Sequence, residues 1–341
     1  FFSLFLTQIN FTMKKYAALL LFAFLLNGCD DGDLIVETID FETVTESAAC
    51  DTTNTLIYKL KAQEALLLQL PNDKIINDNG TYEYPIDSKG NGLYRVVYRA
   101  FDGAITQNNI CGAIPPSTPR VTEEWIATDG IITIQTTQIE PKNANDDGTR
   151  ITGYEHSIII NNVTFAKPSG DQTQARYVFG TYKTEVTPAS LTFRTNTSGL
   201  AYSCTNVKRV YNYNNSFYLS IEDIDPELLK NEVTPSNQPR TSLITATMNK
   251  VFYKTAKADT GVFTEENICT PTSSSPVVAQ TWTGQLGVAG EKGIIEVSTA
   301  LVGTTYTHTI VLKNVILERG NSSFKLGSSF LLGKIEVNTA N

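Results

Sequence analysis

The residues able to do chemistry in this chain are few: two histidines, two tryptophans and five cysteines. His156 and His308 have the side chain best suited to proton transfer or metal ligation near neutral pH. Each sits in a strand-like run. Alternation places His156 with Tyr154, Ile158 and Ile160, and His308 with Tyr306, Ile310 and Leu312, so both are expected to be packed side chains with hydrogen-bonded ring nitrogens. One histidine per run, without an HExxH pattern, argues against zinc. No GxSxG elbow and no phosphate-cradling glycine loop occurs, and the histidines offer no visible triad. The loop Asn143–Gly148 carries the oxygen ligands Asn143, Asn145, Asp146 and Asp147, a Ca²⁺ candidate that lacks EF-hand spacing and reads better as a solvated turn. No cofactor is expected. For ligand binding the candidates are aromatic: Trp125, Trp282, and the run in which Tyr211, Tyr213, Phe217 and Tyr218 mix with amides, as on glycan-binding faces.

These residues recur. Thr152-Gly153-Tyr154-Glu155-His156-Ser157-Ile158-Ile159-Ile160-Asn161-Asn162-Val163 is echoed by Thr304-Thr305-Tyr306-Thr307-His308-Thr309-Ile310-Val311-Leu312-Lys313-Asn314-Val315, identical at every second position on average. Asn109-Ile110-Cys111 matches Asn267-Ile268-Cys269, Trp125 matches Trp282, Gly130-Ile131-Ile132 matches Gly293-Ile294-Ile295, and Cys50 matches Cys204. Rare residues falling into one register mark a duplication. Glu123 and Glu124 beside Trp125 are the nearest approach to a two-carboxylate glycosidase, but the second copy has Gln280 and Thr281 there, which leaves that alternative unsupported by the repeat. Each copy holds one early and one middle cysteine, so Cys50–Cys111 and Cys204–Cys269 is the economical disulfide pairing, suited to an oxidising compartment.

The elements that must position these groups are strands. Leu56–Leu60, Leu93–Tyr98, Ile131–Ile134 and His156–Phe165 are short, β-branched or aromatic, and separated by Asn, Asp, Gly and Pro clusters. Ala62–Leu70 is helix-like by propensity, yet Pro71 stops it and its counterpart is strand-like, so a strand is expected. Asp225 before Pro226 predicts one helical turn. The expected architecture is all-β: two tandem homologous β-sandwich domains, jelly-roll-like, over residues 38–187 and 188–341.

The amino-terminal region speaks to location. Lys14 and Lys15 precede eleven mostly apolar residues, Tyr16 to Leu26, too few to cross a bilayer but enough for the core of a signal peptide. Leu25-Leu26-Asn27-Gly28-Cys29 then resembles a bacterial lipobox. That resemblance implies a lipoprotein signal peptide over 13–28, acyl chains on Cys29 and a tether over 29–37. Residues 1–12, before Met13, read as an over-extended gene start. With Asp30-Asp31-Gly32-Asp33 after the cysteine, the chain resembles surface lipoproteins of Bacteroidetes, flavobacteria above all. The implied location is the outer membrane, with attachment through Cys29 and exposure at the cell surface. A formal charge of −8 argues against nucleic acid as a partner. The expected function is non-enzymatic: paired sandwiches binding a glycan or an outer-membrane protein, with an exported polysaccharide- or peptide-hydrolase as the alternative.

Overall fold

Strand alternation in this chain is realised as two layers of antiparallel sheet, built twice in the same order. A computed structural model describes residues 38–143, 147–194 and 199–339. The signal and tether expected over 13–37, with Cys29, lie outside these, as do Asn145 and Asp146. The first half contributes β1 (Ala48–Ala49), β2 (Leu56–Leu60), β3 (Glu64–Gln69), β4 (Gly80–Pro85), β5 (Arg95–Phe101), β6 (Val121–Ile139), β7 (Gly153–Ala166) and β8 (Gln172–Glu185). The second contributes β9 (Tyr202–Ser203), β10 (Arg209–Asn214), β11 (Phe217–Glu222), β12 (Arg240–Leu243), β13 (Lys250–Ala256), β14 (Val278–Gly284), β15 (Ile294–Val302), β16 (Thr305–Lys313), β17 (Ile316–Arg319), β18 (Ser322–Lys325) and β19 (Ser329–Asn338). The turn expected after Asp225 is a 3₁₀ turn, Pro226–Leu229, whose first free N–H, on Glu227, donates to Asp225.

In the second half the sheets are separate, β18-β17-β14-β13-β11-β10-β9 and β12-β15-β16-β19. Their inner faces meet in one apolar core that includes Leu219, Val251 and Trp282 from one sheet and Val297, Ile310 and Leu332 from the other. In the first half the same pairings run through unbroken strands. β6 corresponds to β14 plus β15, β7 to β16 plus β17, and β8 to β18 plus β19, so one long sheet bends into both layers. The bends fall where the sequence repeats itself. Asn162 and Asn314 share the left-handed conformation, at φ 51° and 49°, which asparagine tolerates better than most residues.

The larger sheet is covered on its outer face as well. A short helix, Gln107–Cys111 or Glu265–Cys269, lies over it in each half, opened by a Thr–Asn capping box at Thr106 or Thr264. The expected disulfides, Cys50–Cys111 and Cys204–Cys269, fasten these helices. Closing loops of 61 and 65 residues contributes about 4 kcal/mol each on the chain-entropy account. This double cover explains the helix-like look of Ala62–Leu70. In β3, Leu66 and Leu68 face one apolar layer while Ala65 and Leu67 lie under the helix with Tyr58 and Val97, so the strand is apolar on both faces.

A bulge ties the layers together. In β8 and β19 the extra residues are Phe179 and Leu332, each just before a glycine, Gly180 or Gly333. A bulged residue's carbonyl falls out of the ladder. Lys59 Nζ donates to the Phe179 carbonyl at 2.8 Å, and Asn212 Nδ2 donates to the Leu332 carbonyl at 2.9 Å. Both donors are buried and occupy matching places in β2 and β10.

The halves are interlocked, and residues 41–341 form one compact unit. The edge strand β18 docks on the first half. Asp78 accepts from the Asn321 N–H at 2.9 Å and from Ser322 Oγ at 2.7 Å, Gln138 Nε2 donates to the Ser323 carbonyl, and the Thr149 N–H donates to the Lys325 carbonyl. Ile151 and Tyr154, which precede the 187/188 boundary expected from the sequence, are part of the second half's core.

Candidate functional site

Both histidines are sealed in the core. Cross-strand pairing sets Thr136 opposite His156 and Thr299 opposite His308. Their hydroxyls lie 2.9 Å from Nδ1 in each case. His156 Nε2 meets Thr184 Oγ1 at 3.0 Å, and that hydroxyl donates onward to Asn77 Oδ1, so the ring must donate from Nε2 and accept at Nδ1. His308 Nε2 faces Asn231 Oδ1 at 3.1 Å, which fixes the same tautomer. Burial lowers His156 to about 4. Burial lowers His308 as well, with the Arg240 charge adding to the effect. A neutral, fully hydrogen-bonded ring with no access to solvent holds the strands together, as expected from its face.

The aromatic candidates are placed differently from the expectation. Tyr211, Tyr213 and Tyr218 lie beneath the helix Glu265–Cys269, packed with Phe263 and Ile268, and Phe217 lies between the sheets. All four are buried. The surface ladder read from their alternation is therefore corrected: the sheet face that carries the tyrosines is the one roofed by the disulfide-bound helix. Trp125 and Trp282 are core residues too, at 1% and 6% exposure. Glu123 and Glu124 form no acid pair aimed at a substrate; Glu123 accepts the Trp125 Nε1–H at 3.0 Å and Glu124 is bonded to Arg99. Among the Ca²⁺ candidates, Asp147 accepts from the Ser328 N–H at the interface of the halves, and the described residues hold no cluster of metal-ligating side chains.

Around each tryptophan the same assembly is built. A tyrosine lies directly across the strand pair, Tyr98 for Trp125 and Tyr253 for Trp282. The residue two positions earlier accepts the indole N–H, Glu123 or Gln280 at 3.0 and 3.1 Å. A cation covers the ring, Lys167 at 4.2 Å or Arg319 at 5.1 Å. In the second half this assembly opens into a cavity of about 480 Å³ between the halves. Its lining includes the edges of the buried rings Tyr154, Phe217, Tyr253, Trp282 and Phe324, together with the connecting segment 186–190. The lining also holds Ser190, Ser216 and Thr255 and the amides Gln280 and Asn77, and among the described residues it contains no aspartate or glutamate. Tyr253 Oη donates to the Ser190 carbonyl at 3.0 Å, which holds the connecting segment in place. Burial pushes that phenol up to about 12, so it is a donor throughout the physiological range.

Of the sequence candidates, the structure brings only Trp282 and Phe217 to this cavity. Tyr253, Gln280, Arg319 and Phe324 were missed. Arg319 had a signal: it stands six residues beyond the match of Lys313 with Asn161, as Lys167 does in the first copy. No protein-family model, curated protein or solved structure matches the chain.

Proposed function

We propose that this chain is a lipid-anchored, non-enzymatic binding protein of the cell envelope, and that the cavity between its halves is the seat for a glycan. The observation that carries the reading is the cavity's lining: aromatic rings beneath hydroxyls and amides, the mixture that suits a sugar's apolar ring faces and polar edges. Its volume of about 480 Å³ falls within the range of small-ligand sites. A hydrolase using two carboxylates finds none in this lining. Two disulfides, each fastening a cover to a sheet, suit an oxidising compartment. The lipobox-like Cys29 supplies the anchor, since dual acylation gives stable attachment.

A glycan array and polysaccharide pull-down, run beside product analysis for cleavage, tests the reading. Retention without released products is the expected result. Released products would make the protein an enzyme, and silence on both would move the search to protein partners. Fractionation tests the anchor: Cys29→Ser is expected to shift the protein from the membrane to the soluble fraction, and unchanged membrane association would refute it.

A further inference from the structure

The two tryptophan assemblies differ in one respect that bears on charge. In the first half the residue bonded to the indole is acidic, Glu123; in the second it is the neutral Gln280. The cation over the ring is retained: Lys167 in the first half donates to Gln172 Oε1 at 3.0 Å. The Arg319 guanidinium makes no hydrogen bond or ion pair among the described residues and lies over the Trp282 ring. Asp78, near the backbone at Gly320, is engaged by Asn321 and Ser322, and Glu318 accepts from Gln285. Among the described residues the cavity's lining is thus free of carboxylates and carries a guanidinium with no ion-pair partner, on a protein of net charge −8.

We infer that the cavity selects an acidic glycan, a uronic-acid-bearing oligosaccharide whose carboxylate pairs with Arg319 while its ring packs on the Trp282 face that the guanidinium covers. The inference rests on the glycan reading above and adds the substrate class. A guanidinium presents a planar fork of donors matched to a carboxylate. Leaving the indole for that partner also bares the Trp282 face to the sugar ring. The Nε2 of Gln280 and the Nδ2 of Asn77, whose oxygens are taken by Trp282 and Thr184, and the lining hydroxyls remain to pair with neutral hydroxyls of the ligand.

The test is isothermal titration of the full chain with trimers of galacturonate, glucuronate and mannuronate and with their methyl esters, which keep the ring and remove the charge. Tryptophan emission is followed in parallel, since Trp282 lies in the cavity. At least one acid trimer is expected to bind roughly tenfold or more tighter than its ester, in keeping with a charged hydrogen bond. Arg319→Gln, at an exposed position, is expected to abolish that preference, and added salt to reduce it. Equal binding of acid and ester, or an acid preference that survives Arg319→Gln, overturns the acidic-glycan inference and leaves glycan binding standing. No binding of any acid or ester overturns the inference, and only silence across the wider glycan array removes the glycan reading with it.

Discussion

Acidification from about pH 6.5 to 5 should destabilise this protein through its histidines before its carboxylates respond. His156 is neutral in the fold because burial excludes water from the ring, whose Nδ1 accepts from Thr136. Its folded value is about 4, against roughly 6.5 in an unfolded chain. Between those values the unfolded chain takes up a proton that the native state refuses, so stability is complete above about pH 6.5 and falls as pH drops, levelling near 4. The slope is about 1.4 kcal/mol per pH unit, which gives a loss of about 2 kcal/mol at pH 5 from His156 alone. His308 is shifted the same way and adds to the loss. The carboxylates held low, Glu46 by Lys183, Asp51 by Thr53 and Asp147 by Ser328, keep their full contribution above about pH 5 and begin to lose it only below that, as the unfolded chain's carboxylates take up protons. Urea unfolding followed by tryptophan emission at about pH 7.5 and pH 5 measures the loss. His156→Gln should cost stability at neutral pH yet flatten the pH dependence. A His156 ring titrating near 6.5 by NMR, or a variant as steep in pH as the parent chain, would refute the reasoning.

Other substitutions probe the frame of the site. Asp78→Ala removes the acceptor for Asn321 N–H and Ser322 Oγ, and is expected to cost about 2 kcal/mol and to split calorimetric unfolding into two resolved transitions; one undivided transition would show that the apolar contacts alone couple the halves. Gly333→Ala sets a Cβ 2.8 Å from the Ala201 backbone at a φ of 145°, with an expected loss of roughly 1–3 kcal/mol; unchanged urea midpoints would show that the bulge yields. Cys204→Ser should destabilise by about 4 kcal/mol and raise proteolysis near the helix Glu265–Cys269, while digestion rates equal to the parent's would deny the disulfide its role as a fastener.

The legible part of this protein was what repeats along the chain. Matching His156 with His308, and Cys50 with Cys204, identified the buried faces and the disulfides because strand alternation and rare residues are local signals. Thr136 and Thr299 were also legible in principle, as both stand six residues past a matched glycine. The tyrosines of β10 and β11 were misread because alternation tells which residues share a face, and not what covers that face. The cover is a five-residue helix, far too short to announce itself through periodicity. Nor could the cavity be read. Its lining joins Tyr154, Tyr253 and Arg319, and its frame depends on Asp78 meeting Asn321 across 243 positions, a separation over which no pattern in a single sequence carries information.

Because Ile151 and Tyr154 complete the core of the following half, and β18 finds its hydrogen-bond partners on the preceding one, neither half is a portable module. A cut at 187/188 would uncover Phe324 and strand a row of peptide groups. Grafting, circular permutation or expression of a single copy would have to begin by replacing the missing flank.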